Sequence, residues 1–213
     1  MRVKYTMQQP VSARRSLAAG YYYAGFFLLS AFLATAVWAG ARSVSPARVD
    51  IDNFGQINAN YYRGSQPDAQ GFAELKQLGI RTVIDLQKDG NPREPEWVRS
   101  DGMQYFNIPL SSRRPATEMQ TEYFLKLGND PQNMPIYVHC AGGRHRTGEM
   151  SAIYRLTHDG WTADQAYQEM KQYGFYSMWG HGSLKQYVYQ YYSKLSAAGT
   201  KAEPVPLSVT LKK

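Results

Sequence analysis

The chain has 213 residues, 43% of them hydrophobic, with 24 Lys+Arg against 17 Asp+Glu and a single Cys. That is enough for one domain with a proper core and too apolar for a wholly disordered protein; one Cys excludes a disulfide framework, and one Cys with four His argues against a structural zinc site. The net charge of +7 sits mostly at the ends, +4 from Arg2, Lys4, Arg14 and Arg15 and +2 after residue 197, so residues 42–197, with 17 basic and 16 acidic side chains, carry no nucleic-acid footprint.

Residues 1–16 form a basic tail. Leu17 to Ala41 reads LAAGYYYAGFFLLSAFLATAVWAGA without a charge, long enough at ~1.5 Å per residue to cross a hydrocarbon layer of ~30 Å. Tyr21–Tyr23 and Trp38 stand near its ends, where amphipathic rings favour the interface, and the preceding cations place the N-terminus in the cytoplasm and the rest outside. The segment reads as a retained transmembrane anchor. Ala39-Gly40-Ala41 has the small-x-small form of a signal-peptidase site, so a cleaved signal peptide is the second reading. Either way the following domain is membrane-anchored or secreted, and periplasmic in a Gram-negative bacterium.

Residues 42–60, polar with Pro46, Gly55 and several Asn, read as a linker. Tyr61-Tyr62-Arg63 is a short strand closed by Gly64-Ser65-Gln66-Pro67. Asp68 caps a helix to Leu78, with Phe72, Leu75 and Leu78 on one face and Gly79 as its stop. Ile80–Leu86 is a strand, Glu94–Ser100 a short helix, Met103–Ile108 a strand and Thr117–Leu127 a helix. Pro135–His139 is an apolar strand suited to a buried central position. Helices follow over Thr147–His158, Thr162–Tyr173 and Ser183–Leu195, and residues 197–213 read as a disordered tail. Strands alternating with helices give an α/β fold with a central, mostly parallel sheet flanked by helices, spanning residues 61–196. In such sheets ligands sit beyond the carboxyl ends of the strands.

The chemistry concentrates in Val138-His139-Cys140-Ala141-Gly142-Gly143-Arg144-His145-Arg146-Thr147-Gly148. The only Cys leaves the end of the best strand, glycines and a basic run follow, and a helix begins. A Gly-rich turn of this kind can point backbone N–H groups inward as an anion nest, and the helix adds its unpaired N-terminal donors. Arg146 can grip two phosphate oxygens with its planar fork. A thiol in that field has a lowered pKa and can attack phosphorus as the thiolate.

The spacing Cys-x5-Arg-Thr, with Gly143 inside it and His139 before it, resembles the signature of the cysteine-dependent protein tyrosine and dual-specificity phosphatases. HCAGGRHRTG is most similar to the atypical dual-specificity branch of plants, fungi and bacteria, some members of which remove phosphates from inositol pyrophosphates. YYRGSQP (Tyr61–Pro67) resembles the string that opens the catalytic domain in bacterial relatives. The resemblance implies Cys140 as the nucleophile that becomes phosphocysteine and Arg146 as the phosphate-binding, transition-state-stabilising cation. It implies substrate contacts from Ala141, Gly142, Gly143, Arg144 and His145, a hydroxyl on Thr147 that helps the Cys leave, His139 as a buttress, and no cofactor or metal. The expected partner is a phosphorylated protein or a small phosphorylated substrate, with the membrane reached through the N-terminal segment and no nucleic acid.

One part of the pattern breaks. Relatives carry an Asp general acid on the loop before the helix at Thr117; here that loop, Leu110 to Ala116, has no acid. Asp89 in the preceding strand-end loop and Glu118 just past the gap are the candidates. Three readings follow: a phosphatase for phosphotyrosine and other aryl phosphomonoesters, an inositol-(pyro)phosphate phosphatase, and a catalytically weak phosphate-binding module.

Overall fold

The computed structural model describes residues 49–199; the basic tail, the apolar segment and the C-terminal tail expected from the sequence lie outside the described residues, apart from the first residues of that tail. Among the described residues no helix is long and apolar enough to cross a membrane. The elements are β1 (Gly55–Asn58), β2 (Tyr61–Ser65), α1 (Ala69–Gln77), β3 (Thr82–Gln87), α2 (Glu94–Ser100), β4 (Gln104–Leu110), α3 (Glu118–Asn129), β5 (Ile136–Cys140), α4 (Arg146–His158), α5 (Ala163–Gln172) and α6 (Gly182–Ala197).

The strands form one sheet in the order β1-β2-β5-β3-β4. β2, β5, β3 and β4 run parallel, and β1 is an antiparallel edge on β2. Every residue of β3 and β5 is buried, as continuous apolar runs covered on both faces require. Period-2 alternation then divides the core. Ile84, Leu86, Val138 and Cys140 face one cluster with Phe124 of α3, Ile153 of α4, Met170 of α5 and Val188 of α6. Val83 and Tyr137 face the other, with Phe72 and Leu75 of α1 and Val98 of α2. The sheet is therefore mixed, with helices on both faces.

Local chemistry sets the helix starts. Asp68 accepts from the Gly71 amide at the head of α1. Thr117 with Gln120 and Thr162 with Gln165 form capping boxes that open α3 and α5.

The reading of residues 42–60 as a linker needs correction over its second half. Ile51 and Ile57 are buried and β1 lies inside the stretch. A four-residue edge strand with one fully buried side chain shows no alternation long enough to register among Asn and Gly.

Candidate active site

Cys140 ends the central strand on the face covered by α3–α6 and is only 3% exposed. The chain then turns through Ala141–His145 and re-enters α4 at Arg146. The turn is closed by Gly143, whose φ of 63° lies in the left-handed region, and a Cβ there would sit 2.5 Å from the Gly64 carbonyl group. Only glycine meets both demands. Gly64 is crowded as well, because a Cβ on it would meet the Tyr137 hydroxyl at 2.4 Å.

The loop's carbonyls are turned outward onto donors. Asn53 Nδ2 donates to the Gly142 and Gly143 carbonyls at 3.2 and 3.0 Å and to the Tyr173 carbonyl at 3.0 Å. Arg63 Nη2 donates to the Gly143 carbonyl. Carbonyls held from outside leave the opposing N–H groups for the concave side, the arrangement of an anion nest. α4 adds to it: His145 is its N-cap, and no side chain caps the first-turn amides.

The thiol has a charged environment. Burial pushes the Cys140 pKa up, but the Thr147 hydroxyl, the Arg146 guanidinium, the Thr147 amide and His139 together outweigh it and hold the thiol below its ordinary value. The buried Thr147 Oγ1 has no other partner, so its proton is available to the sulfur. On the opposite face His139 is fully buried, and its Nε2 donates to Glu94 Oε1 at 2.7 Å. Glu94 Oε2 accepts from Gln66, and Gln66 in turn accepts from Gln87. Asp85, Glu94 and His139 bring one ligand atom each within 4.8 Å of one another. Asp85 accepts from the Gln87 amide, the Tyr105 hydroxyl and the Asn107 amide, and His139 Nε2 is held by Glu94, while His139 Nδ1 is buried without a partner. The cluster is a hydrogen-bonded support beneath the nucleophile.

A cleft of about 680 Å³ opens beside Arg146, lined by Lys88, Asp89, Leu110–Ser112, Arg114 and Thr117 among others. It separates the two acid candidates. Asp89 shares the cleft with Arg146; Glu118 lines a different depression with Lys194 and is ion-paired to it, which lowers the Glu118 pKa. The basic residues divide too. Arg114 stays in the cleft, Arg113 packs its chain beside Gly180, and Arg144 lies over Gly174. The His145 ring is committed to packing, stacked on His181 at 3.7 Å and edge-on to Tyr176 at 4.4 Å. Burial, with His181 beside it, takes its pKa down to about 4.

The family model described as the DSP-PTPase phosphatase fused to NAD+ kinase matches residues 42–186. The chain belongs to this phosphatase family. It is 30% identical over 153 residues to the dual specificity protein phosphatase TpbA of Pseudomonas aeruginosa, covering 71% of this chain and 69% of that protein. It is 24% identical to the inositol diphosphatase SIW14 of Saccharomyces cerevisiae over 58% of this chain and 46% of that one. The fold is that of solved TpbA in complex with pTyr, with a TM-score of 0.60 and 23% identity over 78% of this chain and 99% of that one. It also matches the core catalytic domain of SIW14, with a TM-score of 0.60 and 20% identity over 76% and 98%.

Within this family frame the sequence reading placed Cys140, Arg146 and Thr147 together, and the fold brings them together. Asn53, inside the expected linker, and Arg63, inside YYRGSQP, also hold the loop, and neither is a candidate by sequence. The signal for Asn53 was weak: Asn53 has φ 55°, a conformation that Asn tolerates, and Asn in a Gly/Asn-rich stretch reads as a turn.

Proposed function

We propose that this chain is a cysteine-dependent phosphatase that hydrolyses phosphotyrosine and related aryl phosphomonoesters through a phosphocysteine intermediate, and that it acts outside the cytoplasm. The observation that carries the reading is a buried thiol of lowered pKa at the floor of an amide-lined loop whose next helix begins with Arg146. The phosphate dianion sits in the nest, gripped by Arg146. The Cys140 thiolate attacks phosphorus, the S–P bond forms as the P–O bond to the leaving group breaks, and Arg146 and the loop amides hold the equatorial charge. Asp89, the acid that shares the cleft, donates the proton to the leaving oxygen. In the second step it takes a proton from water, which attacks phosphorus and releases Cys140 with help from the Thr147 hydroxyl.

An aryl preference follows from the acid's position. Asp89 hangs from the loop after β3 and not from the loop over Arg146, and a phenol needs less proton help than an alkyl alcohol. TpbA, which binds pTyr, supports the same choice. The inositol-pyrophosphate reading is favoured by Lys88 and Arg114 in the same cleft, and it stands second because export separates the enzyme from intracellular polyphosphates. Export rests on the apolar segment 17–41 and its basic flank. The deciding experiment compares kcat/KM for phosphotyrosine, phosphoserine and a pyrophosphorylated polyol. Phosphotyrosine is expected to lead by at least tenfold; a lead for the polyol would overturn the ranking, and no turnover of any would favour a binding module.

A further inference from the structure

Arg63 carries a charge that the fold does not neutralise. It is fully buried, the bulkiest of the side chains with no exposure. Its Nη2 donates to the Gly143 carbonyl and its guanidinium lies 3.9 Å over the Tyr173 ring, but Nε and Nη1 have no hydrogen-bond partner. Among the described residues no carboxylate stands within ion-pair distance of it. The groups around it are accounted for. Glu169 of α5 is gripped by Arg155 through three hydrogen bonds. Tyr61 is paired with Ser151, and Tyr137 donates to the Ser65 carbonyl. Tyr173 offers its ring.

A buried guanidinium cannot shed its proton, and leaving it unpaired is costly. Register puts Arg63 on the same face as Cys140, which stands opposite Ser65, two residues further along β2. Arg63 stands opposite Val138 on the neighbouring parallel strand, and alternation places it on the face of Tyr61, Val138 and Cys140. Burial pushes the Arg63 pKa down, and Tyr61, Tyr173, Glu169 and, least of these, Cys140 push it back up. We infer that Arg63 is the buried counter-cation of the Cys140 thiolate: a positioning residue that holds the phosphate loop by its Gly143 carbonyl and stabilises the thiolate from inside the fold, while Arg146 acts from the cleft. Arg63 does not touch the substrate. The inference deepens the phosphatase reading and rests on its assignment of Cys140 as a reactive thiolate.

The test reads the thiolate without turnover. Cys140 is the sole Cys, so the pH dependence of iodoacetamide alkylation of the full chain reports it directly. Ultraviolet thiolate absorbance, with Cys140→Ser subtracted, gives the same midpoint without reagent access. Arg63→Gln, which can still donate to the Gly143 carbonyl, and Arg63→Met should both raise the midpoint by about 1 unit. Arg63→Lys should restore most of the shift. Asn53→Ala removes loop donors without removing charge and should leave the midpoint in place. An unmoved midpoint in either folded neutral variant, or an equal shift in Asn53→Ala, would overturn the inference.

The reciprocal measurement needs no change at position 63. A thiol whose folded pKa is depressed adds stability above its unfolded pKa and loses it as pH falls through the folded value. Cys140→Ser should therefore lower Tm by several degrees near pH 9 and by little near pH 5; equal losses at both would mean that there is no stabilised thiolate for Arg63 to face, and would overturn the inference. An enzyme inactive on every phosphate tested, yet with an Arg63-dependent midpoint, would sink the phosphatase reading and leave this one standing.

Discussion

Cys140 and Arg146 divide the work at the residue scale, and substitution should separate their roles. Cys140→Ser removes the nucleophile but keeps the loop amides and Arg146, so turnover should vanish while vanadate binding, measured by calorimetry, largely survives. Arg146→Ala should weaken both, with kcat down by roughly 10²–10³-fold. Hydrolysis by purified Cys140→Ser would end the covalent mechanism. The acid assignment is as direct. Asp89 stands in the cleft with Arg146 and Glu118 is tied to Lys194 elsewhere. Asp89→Asn should cost about 10²–10⁴-fold on phosphoserine, less on phosphotyrosine, and flatten the alkaline limb of the pH–rate profile; Glu118→Gln should change neither. The reverse pattern would move the acid to α3. Cys140 and Arg146 are legible as candidates because their chemistry is local, seven residues from Cys140 to Arg146. Asn53 and Arg63 act on loop carbonyls that lie 90 and 80 residues away in the chain, and no local pattern encodes such a pairing.

Glycines and one buried acid set the limits of the elements around the site. Gly143→Ala combines a left-handed φ with a backbone clash against Gly64, so phosphate binding and activity should both be lost. Gly64→Ala clashes with the far end of one side chain, the Tyr137 hydroxyl. Adding Tyr137→Phe should recover part of the lost Tm and activity for Gly64→Ala and none for Gly143→Ala. Glu149 of α4 joins the helix that starts at Arg146 to the loop over the cleft. Its Oε1 accepts from the Ala116 amide, while Oε2 is buried without a partner and Tyr187 of α6 is the titratable neighbour. Burial raises its pKa to about 8. The folded state then holds a proton that the unfolded chain releases above its ordinary value, so stability is full at low pH and falls as pH rises through about 8. Glu149→Gln should raise Tm by several degrees at pH 8 and by little near pH 4; an equal change at both would place the proton elsewhere. The helices and the four parallel strands could be read from periodicity, caps and apolar runs. β1 could not, because four residues with one buried side chain leave no period to read.

At the scale of the whole chain, the proposed export would decide which substrates the domain meets. The folded region is near neutral by formal charge, so the export proposal rests on residues 1–41, where four cations precede 25 uncharged residues. Insertion with the cations retained on the cytoplasmic side carries everything after Ala41 across, whether or not the segment is cut. An alkaline phosphatase reporter fused after Lys213 should therefore be active in a Gram-negative host, and a cytoplasm-dependent fluorescent reporter at the same point should be dark. The mature N-terminus separates the two modes: a chain starting near Arg42 is a cleaved product, and an intact start with membrane pelleting is an anchored one. On the export proposal, replacing Arg2, Lys4, Arg14 and Arg15 by neutral residues should reduce or invert the reporter signal, because the charge bias is then gone. A fully cytoplasmic reporter on the unaltered chain would defeat export. It would also return inositol pyrophosphates to the first rank, since Lys88 and Arg114 beside Arg146 would then face a compartment that contains them.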